Sequence, residues 1–483
     1  MRRTLTALLL SLAAAGCGAS TGATPGTGPH PNGDLATRVD ALFARWDSTT
    51  TPGCAVGVSR AGEAVLARAY GMADLEHDIS NTPATIFEAG SVSKQVTAAA
   101  IVLLALDGRL SLDDDVRAHV PELPDYGTPI TLRHLLTHTS GLRDWGSVAE
   151  IAGWGRSVRT HTHEHVLDLL SRQSALNFVP GAQYSYSNSG YNLLAIIVDR
   201  TSGMPFAEFS RRRIFEPLGM THTQWRDDYT RIVKGRSAAY ALRDGEVVID
   251  RPIENVHGNG GLLTTIGDLL TWNEALAAGR LGGARLVEAM HRQGVLNDGE
   301  RIAYASGLSI GEHRGVREVS HTGATSGYRA FLARYPEQQL GVALLCNVGA
   351  VNPGRLGHAV ADVFLDAAGV AAAPRVADAA RAPDADSAAP FIPARHALGD
   401  LAGEYYSTDA ETTLIVALHG DTLVLERRPA TRIGLRPSAP DTFESQIGRI
   451  VFHRNAAGQV THFSLSQPRV HNLQFDRTRT DAP

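Results

Sequence analysis

Glu88-Ala89-Gly90-Ser91-Val92-Ser93-Lys94 opens onto Gln95 to Leu106, a run with no charge before Asp107-Gly108. Ten of its residues, from Val96 to Leu106, are apolar or alanine on nearly every side, which predicts a helix buried all round. Ser91 and Lys94 stand three residues apart at its start, on one face, with the hydroxyl in reach of the amine. The Ser91 N–H falls among the free donors of the first turn, where an oxyanion is stabilised. A serine that only caps a helix would leave Lys94 as an ordinary solvated side chain. Composition argues otherwise, because the 45 basic residues include only two lysines, Lys94 and Lys234. Arginine keeps its proton in proteins, whereas a lysine desolvated at a helix start can act as a base. A lysine retained against that bias marks Ser91-x-x-Lys94 as a nucleophile and its base.

Length and charge set the surroundings. A chain of 483 residues divides into two or three domains, and 43% hydrophobic with 20% charged residues is ordinary globular composition. The net charge of -5 gives no electrostatic case for nucleic acid or an anionic membrane surface. Arg2 and Arg3, then Leu5 to Ala15, read as a signal peptide over residues 1–16, with an apolar stretch too short to span a bilayer. Ala14-Ala15-Gly16-Cys17 resembles a bacterial lipobox, which makes Cys17 a lipidation site; Ala13-Ala14-Ala15 would equally serve as an ordinary cleavage site. Either route exports the protein, to the periplasm or cell envelope, with the membrane touched only through the lipid.

Outward from the Ser91 helix, residues 17–33 form a Gly/Ser/Thr/Pro tether. An amphipathic helix follows over Leu35 to Trp46, then strands at Cys54 to Val58 and Ala64 to Tyr70 around Ala61-Gly62-Glu63. The middle, Ser111 to about Gly279, alternates helical patterns with Pro/Gly loops and reads as an all-helical insertion. Strands return at Ser306 to Gly311, Val316 to Val319, Tyr328 to Tyr335 and Leu340 to Val348, and a helix at Gly357 to Ala368 closes the domain at 370. Residues 371–397 are an Ala/Pro/Asp linker. From 398 to 483 period-two hairpins, such as Leu414 to Leu418 with Leu423 to Leu425, predict a small antiparallel β-barrel. The fold class is therefore α/β (α+β): an antiparallel sheet flanked by helices with a helical insertion, plus the barrel. Two formal G-x-S-x-G matches, Gly18 to Gly22 and Gly307 to Gly311, lack the strand-turn-helix context of a nucleophile elbow.

A serine nucleophile needs a second proton handler and groups that hold the substrate. Tyr186 and Asn188, two apart in extended chain, point the same way. A phenol beside Lys94 can shuttle a proton, and the Asn188 amide can bind a substrate carbonyl. His321-Thr322-Gly323, followed by Ala324, is a strand start with little side-chain bulk, along which a substrate can lie by β-type hydrogen bonding. His161-Thr162-His163-Glu164-His165 lacks metal-ligand spacing, since position 167 is leucine, and reads as a solvated helix start; no metal or cofactor is called for.

In that order and at those separations, Ser91-Val92-Ser93-Lys94, Tyr186-Ser187-Asn188 and His321-Thr322-Gly323 resemble the serine β-lactamase and penicillin-binding-protein superfamily. The likeness is nearest to class C β-lactamases and their esterase and D-aminopeptidase relatives, and it covers residues 34–370. Leu135 to Leu142 resembles another stretch common in that group. The resemblance implies Ser91 as acylated nucleophile, Lys94 with Tyr186 as base and acid, Asn188 on the substrate amide, and the N–H groups of Ser91 and Ala324 as oxyanion hole. Class C β-lactamases carry lysine where this chain has His321, a permanent cation against a mostly neutral imidazole. That departure favours esters or D-amino-acid peptides and amides over β-lactams, and a lysine at 321 is expected to turn the site toward carboxylate-bearing substrates. A true β-lactamase and a non-hydrolytic muropeptide sensor are the alternatives. In this superfamily the strands of Cys54 and Cys346 are neighbours; cross-strand disulfides are geometrically demanding, so the reading favours two buried free thiols.

Overall fold

The computed structural model describes residues 31–371, 391 and 395–478. The signal segment, Cys17 and nearly all of the tether and linker lie outside them. A first helix, α1 (Pro31–Phe43), begins three residues before the end of the expected tether, with a proline at its first position, where the fixed φ suits a helix.

Six strands build the central sheet: β1 (Cys54–Arg60), β2 (Glu63–Tyr70), β3 (Ser309–His313), β4 (Val316–Thr325), β5 (Tyr328–Tyr335) and β6 (Leu340–Cys346). Their order is β3-β4-β5-β6-β1-β2, antiparallel throughout, so the two ends of the domain meet at the β6–β1 seam. Alternation in β1 explains what covers each face. Cys54, Val56 and Val58 join Val39 and Phe43 of α1 and Val360 and Phe364 of a C-terminal helix, Pro353–Ala367. Ala55 and Gly57 face the other way, where small size is required: a Cβ on Gly57 would lie 3.0 Å from Leu270 of the helix Ile266–Ala277. On that side runs α2 (Lys94–Leu106), with Lys94 to Leu104 all buried, as its uncharged sequence demands.

Two expectations are corrected. The insertion is helical in the main but also carries short strands. Leu262–Thr264 pairs with Phe87–Glu88 on one side and Gln224–Trp225 on the other, and Tyr240–Arg243 pairs with Glu246–Ile249. Segments of two to four residues paired across long separations leave no local alternation to read. The cysteines are bonded: Cys54 and Cys346 form a disulfide across β1 and β6. The register places them directly opposite. The next pair is hydrogen-bonded, Asn347 N–H to Gly53 carbonyl at 3.0 Å, which makes the cysteines a closely spaced pair without ladder hydrogen bonds. Register decided the matter, and register is not written locally. Peptide mapping without reductant should recover a Cys54–Cys346 cross-linked pair that separates on reduction; alkylation of both thiols without reductant would contradict it.

Eight strands, from Gly403–Ser407 to Val470–Arg477, close an antiparallel barrel filled by Tyr405, Leu414, Leu425, Phe463, Leu465 and Phe475. Closure leaves no open edge. One end of its core is completed by Val148, Ile151 and Ala152, from the helix Trp145–Ile151 and its C-terminus. Beside them Arg143, buried, meets Asp409 at 2.6 Å and donates to Gln173 Oε1 and to the His471 and Asn472 carbonyls. Asp409 also accepts from Ser174 N and Oγ. The barrel is seated by apolar packing and by a buried ion pair.

Candidate active site

The opening stretch is a tight 3-10 turn, Gly90–Ser93, running directly into α2. Glu88 anchors its entry through a two-pronged ion pair with buried Arg226, at 2.9 and 3.1 Å. Ser93 Oγ closes the turn, donating to the Gly90 carbonyl and accepting from Leu262 N–H at 3.1 Å. Gly90 has a φ of +50°, and any Cβ there would sit 2.6 Å from Ala324 N. From the other side, a Cβ on Gly323 would come within 2.1 Å of the Ala89 carbonyl oxygen. Glycine at both positions lets β4 lie against the nucleophile turn. Pairing of β3 with β4 stops at Ser320, so the edge of β4 from His321 to Thr325 is unpaired toward the site.

Lys94 is wholly buried, with Nζ 3.2 Å from Ser91 Oγ, 2.9 Å from Asn188 Oδ1 and 2.6 Å from the Asn259 carbonyl. Burial, reinforced by the Arg156 charge, holds its pKa well below the usual lysine value, against a smaller opposing pull from Asp144. A neutral amine has two N–H bonds and one lone pair. The two acceptors, Asn188 Oδ1 and the Asn259 carbonyl, take the N–H bonds, which turns the lone pair to the Ser91 hydroxyl. Asn188 is the first residue of the helix Asn188–Ser202, and its N–H donates to Asp144 Oδ2 at 2.7 Å.

Tyr186 lies with its ring 4.8 Å from Lys94 Nζ. Its hydroxyl is buried without a hydrogen bond of good geometry, and burial raises its pKa; the Ser91 side chain is the main opposing influence. His138, at a φ of +59°, packs on Tyr186 with ring centroids 4.2 Å apart, and its Nδ1 accepts from Ser187 N–H. That is the structural use of the Leu135 to Leu142 stretch. Ser91, Tyr186, Asn188, His321, Thr322, Gly323 and Ala324 all line one cavity of about 770 Å³, with Lys94 beneath it.

His321 is engaged through both ring nitrogens. Nδ1 is 2.6 Å from the Thr322 carbonyl, which can only accept, so the proton sits there. Nε2 then accepts from the Tyr304 hydroxyl at 2.9 Å. Burial, with Lys94 adding to it, lowers its pKa to about 4. His321 is therefore a neutral, doubly engaged side chain across the neutral range, and a lysine in its place would bury a second amine beside Lys94. The same burial has a cost in acid. His321, His138 and His257 all have pKa values depressed by burial in the folded protein, whereas unfolded histidine takes a proton near 6.5. Below that pH the unfolded chain binds protons the fold refuses, so stability falls as pH drops from about 6.5 toward 4, by about 1.4 kcal/mol per pH unit for each such histidine. Urea midpoints at pH 7, 6 and 5 should decline in that order; a constant midpoint would contradict it.

Asn259, Arg156, Tyr304 and Arg469 belong to the site and were not read from the sequence. Only Asn259 carried a signal, the run Gly258-Asn259-Gly260-Gly261, where glycines allow close backbone approach. Of the histidine run, Thr162 caps the helix His163–Ser171, while His161 is buried on the Trp154 carbonyl and His163 turns to the His257 carbonyl. The run is less solvated than expected, and its imidazoles do not converge. Among the described residues His313, Glu318 and His358 bring ligand atoms within 4.8 Å. Their imidazoles stack in parallel at 4.2 Å, each on its own carboxylate, so the lone pairs do not meet at a point.

A family model described as Beta-lactamase matches residues 39–365. Penicillin-binding protein 4* of Bacillus subtilis (strain 168) is 31% identical over 59% of this chain and 66% of that protein. A D-aminopeptidase of Gluconobacter oxydans (strain 621H) is 31% identical over 65% of this chain and 58% of its own length. The chain thus spans less than two thirds of these curated relatives. Among solved structures, the octameric penicillin-binding protein homologue from Pyrococcus abyssi aligns with 92% of this chain and 100% of its own, at TM-score 0.61 and 24% identity. The D-amino acid amidase from Ochrobactrum anthropi SV3 covers 69% of this chain and 99% of its own, at TM-score 0.58 and 24% identity. At that identity both speak for the fold alone.

Proposed function

This chain belongs to the beta-lactamase family, and from that premise we propose that it is a serine hydrolase working through an acyl-enzyme at Ser91. The observation that carries the reading is the burial of Lys94, which lowers its pKa, with Nζ 3.2 Å from the Ser91 hydroxyl oxygen. As Ser91 Oγ attacks the substrate carbonyl, its proton passes to Lys94 Nζ. The N–H groups of Ser91 and Ala324 hold the oxyanion, and the Asn188 amide holds the substrate carbonyl beside it. Collapse breaks the bond to the leaving group, which takes a proton from the Lys94–Tyr186 pair. Water then attacks the ester carbonyl, giving its proton to the same pair, and Ser91 is released. Thr322 and Gly323 offer the open edge of β4 to the substrate, and His321 shapes its floor as a neutral group. The substrate is an ester or a D-amino-acid-type amide or peptide, a direction supported by the relative named D-aminopeptidase. The signal-like residues 1–16 and the lipobox-like Cys17 support a cell-envelope location on a lipid anchor.

Intact-mass spectrometry during incubation with p-nitrophenyl esters, D-amino-acid amides and a chromogenic cephalosporin tests this. The expected result is a transient acyl adduct on the Ser91 peptide with released product, strongest for esters and amides. An adduct that persists without turnover would overturn the hydrolase reading.

A further inference from the structure

Of three arginines lining the cavity, two are already occupied. Arg156 grips buried Glu254 with both prongs. Arg329 donates to the Ser326 and Tyr328 carbonyls. The third, Arg469, comes from the barrel, from the turn between strands Val460–Gln467 and Val470–Arg477. Its guanidinium carbon lies over Tyr186, 4.9 Å from the ring centroid, and among the described residues it has no carboxylate partner. No aspartate or glutamate lines the cavity. Nearby Asp144 is engaged by the N–H groups of Ser147 and Asn188.

The turn is held in place by its backbone. The Arg469 carbonyl accepts from Asp144 N–H at 3.2 Å and from Asn177 Nδ2 at 3.1 Å. His471 N–H returns a hydrogen bond to Asn177 Oδ1 at 2.7 Å, and Arg143 holds the His471 and Asn472 carbonyls. A side chain so placed is a fixed cation, not a wandering surface arginine.

We infer that Arg469 is the anion-binding group of the cleft, and that it takes a carboxylate on the leaving-group half of the substrate. A guanidinium stacked by its face keeps its N–H edge free, and that edge matches a carboxylate with two parallel hydrogen bonds. The side follows from Tyr186, which serves the leaving group in the reaction proposed above, on which this inference rests. The permanent charge that neutral His321 cannot offer is thus delivered from another domain.

The test compares N-acetyl-D-alanyl-D-alanine with its C-terminal amide on the full chain. In the wild-type protein the ratio of kcat/KM values, acid over amide, should exceed that of Arg469→Ala by about 10- to 100-fold, the scale of a charge-assisted bidentate contact. Arg469→Lys should retain part of the preference and Arg469→Glu should invert it. An unchanged ratio in all three variants overturns the inference. So does a response seen instead with mono-p-nitrophenyl glutarate over p-nitrophenyl butyrate, where the carboxylate is on the acyl half. Calorimetric titration of Ser91→Ala, which cannot be acylated, with and without Arg469→Ala, reads the same preference as a ratio of Kd values. Absence of any Ser91 adduct would remove the acyl-enzyme reading, while this binding ratio would still decide for or against Arg469.

Discussion

Lys94→Arg should lower kcat/KM by about 10³-fold or more while leaving the protein folded, a loss on the scale of removing a positioned general base. The substitution keeps a cation and removes the lone pair. Lys94→Met, which keeps neither, should fall as far, and Ser91→Ala should fall furthest because no acyl-enzyme can form. The pH dependence carries the same sign. The base works only when deprotonated, so activity is present above the depressed Lys94 pKa and is lost as pH falls through it. Steady-state rates on a p-nitrophenyl ester, with near-ultraviolet circular dichroism as a check on folding, measure all three variants. A Lys94→Arg protein retaining more than about a tenth of wild-type kcat/KM would mean that the residue acts only through its charge, against the 10²- to 10⁴-fold expected of a general base.

The second large effect concerns the seat of the barrel. Asp409→Ala should destabilise the protein by about 3–5 kcal/mol, because it strands the Arg143 guanidinium where almost no water reaches. Loss of the carboxylate also leaves Ser174 N and Oγ without their acceptor. The double variant Arg143→Ala/Asp409→Ala should recover part of the loss, since it removes the stranded charge. As a contrast, Asp168→Ala breaks an exposed pair with Arg172 and should cost less than about 1 kcal/mol. Urea unfolding measures all three. If Asp409→Ala cost no more than Asp168→Ala, the buried pair would not be what seats the barrel. Catalysis should feel the change as well, through the turn that carries Arg469.

How much of this could be read in advance depended on distance along the chain. Ser91 and Lys94 were legible because a helix brings them together within one turn, and the lysine stood out against an arginine background. β1, β2 and β5 were legible because each is a strand-like run of seven or eight residues beside a turn. The barrel hairpins were legible through their period-two alternation. What failed depended on where distant segments meet. The facing of Cys54 and Cys346 turns on the register of strands from opposite ends of the domain. The short strand Leu262–Thr264 forms between Phe87–Glu88 and Gln224–Trp225, both distant in sequence. Asn259 reaches Lys94 through a backbone carbonyl, an atom that every residue has. Arg469 is an ordinary turn residue by sequence, and only docking makes it part of a cleft. His321 was legible as a neutral group at the site, but its tautomer was not, because Tyr304 and the Thr322 carbonyl set it.

The seam between β6 and β1 also sets the timing of synthesis. Its paired strands are separated by 292 residues at the Cys54–Cys346 bond, so the sheet has a high contact order and cannot close while only its first two strands have emerged. Until β6 arrives, β1 has no central partner and β4 is not present to lie on the Ser91 turn. The nascent chain therefore holds a nucleophile without a competent catalyst for most of its elongation. A chain built this way keeps Ser91 apart from β4 until late in its assembly.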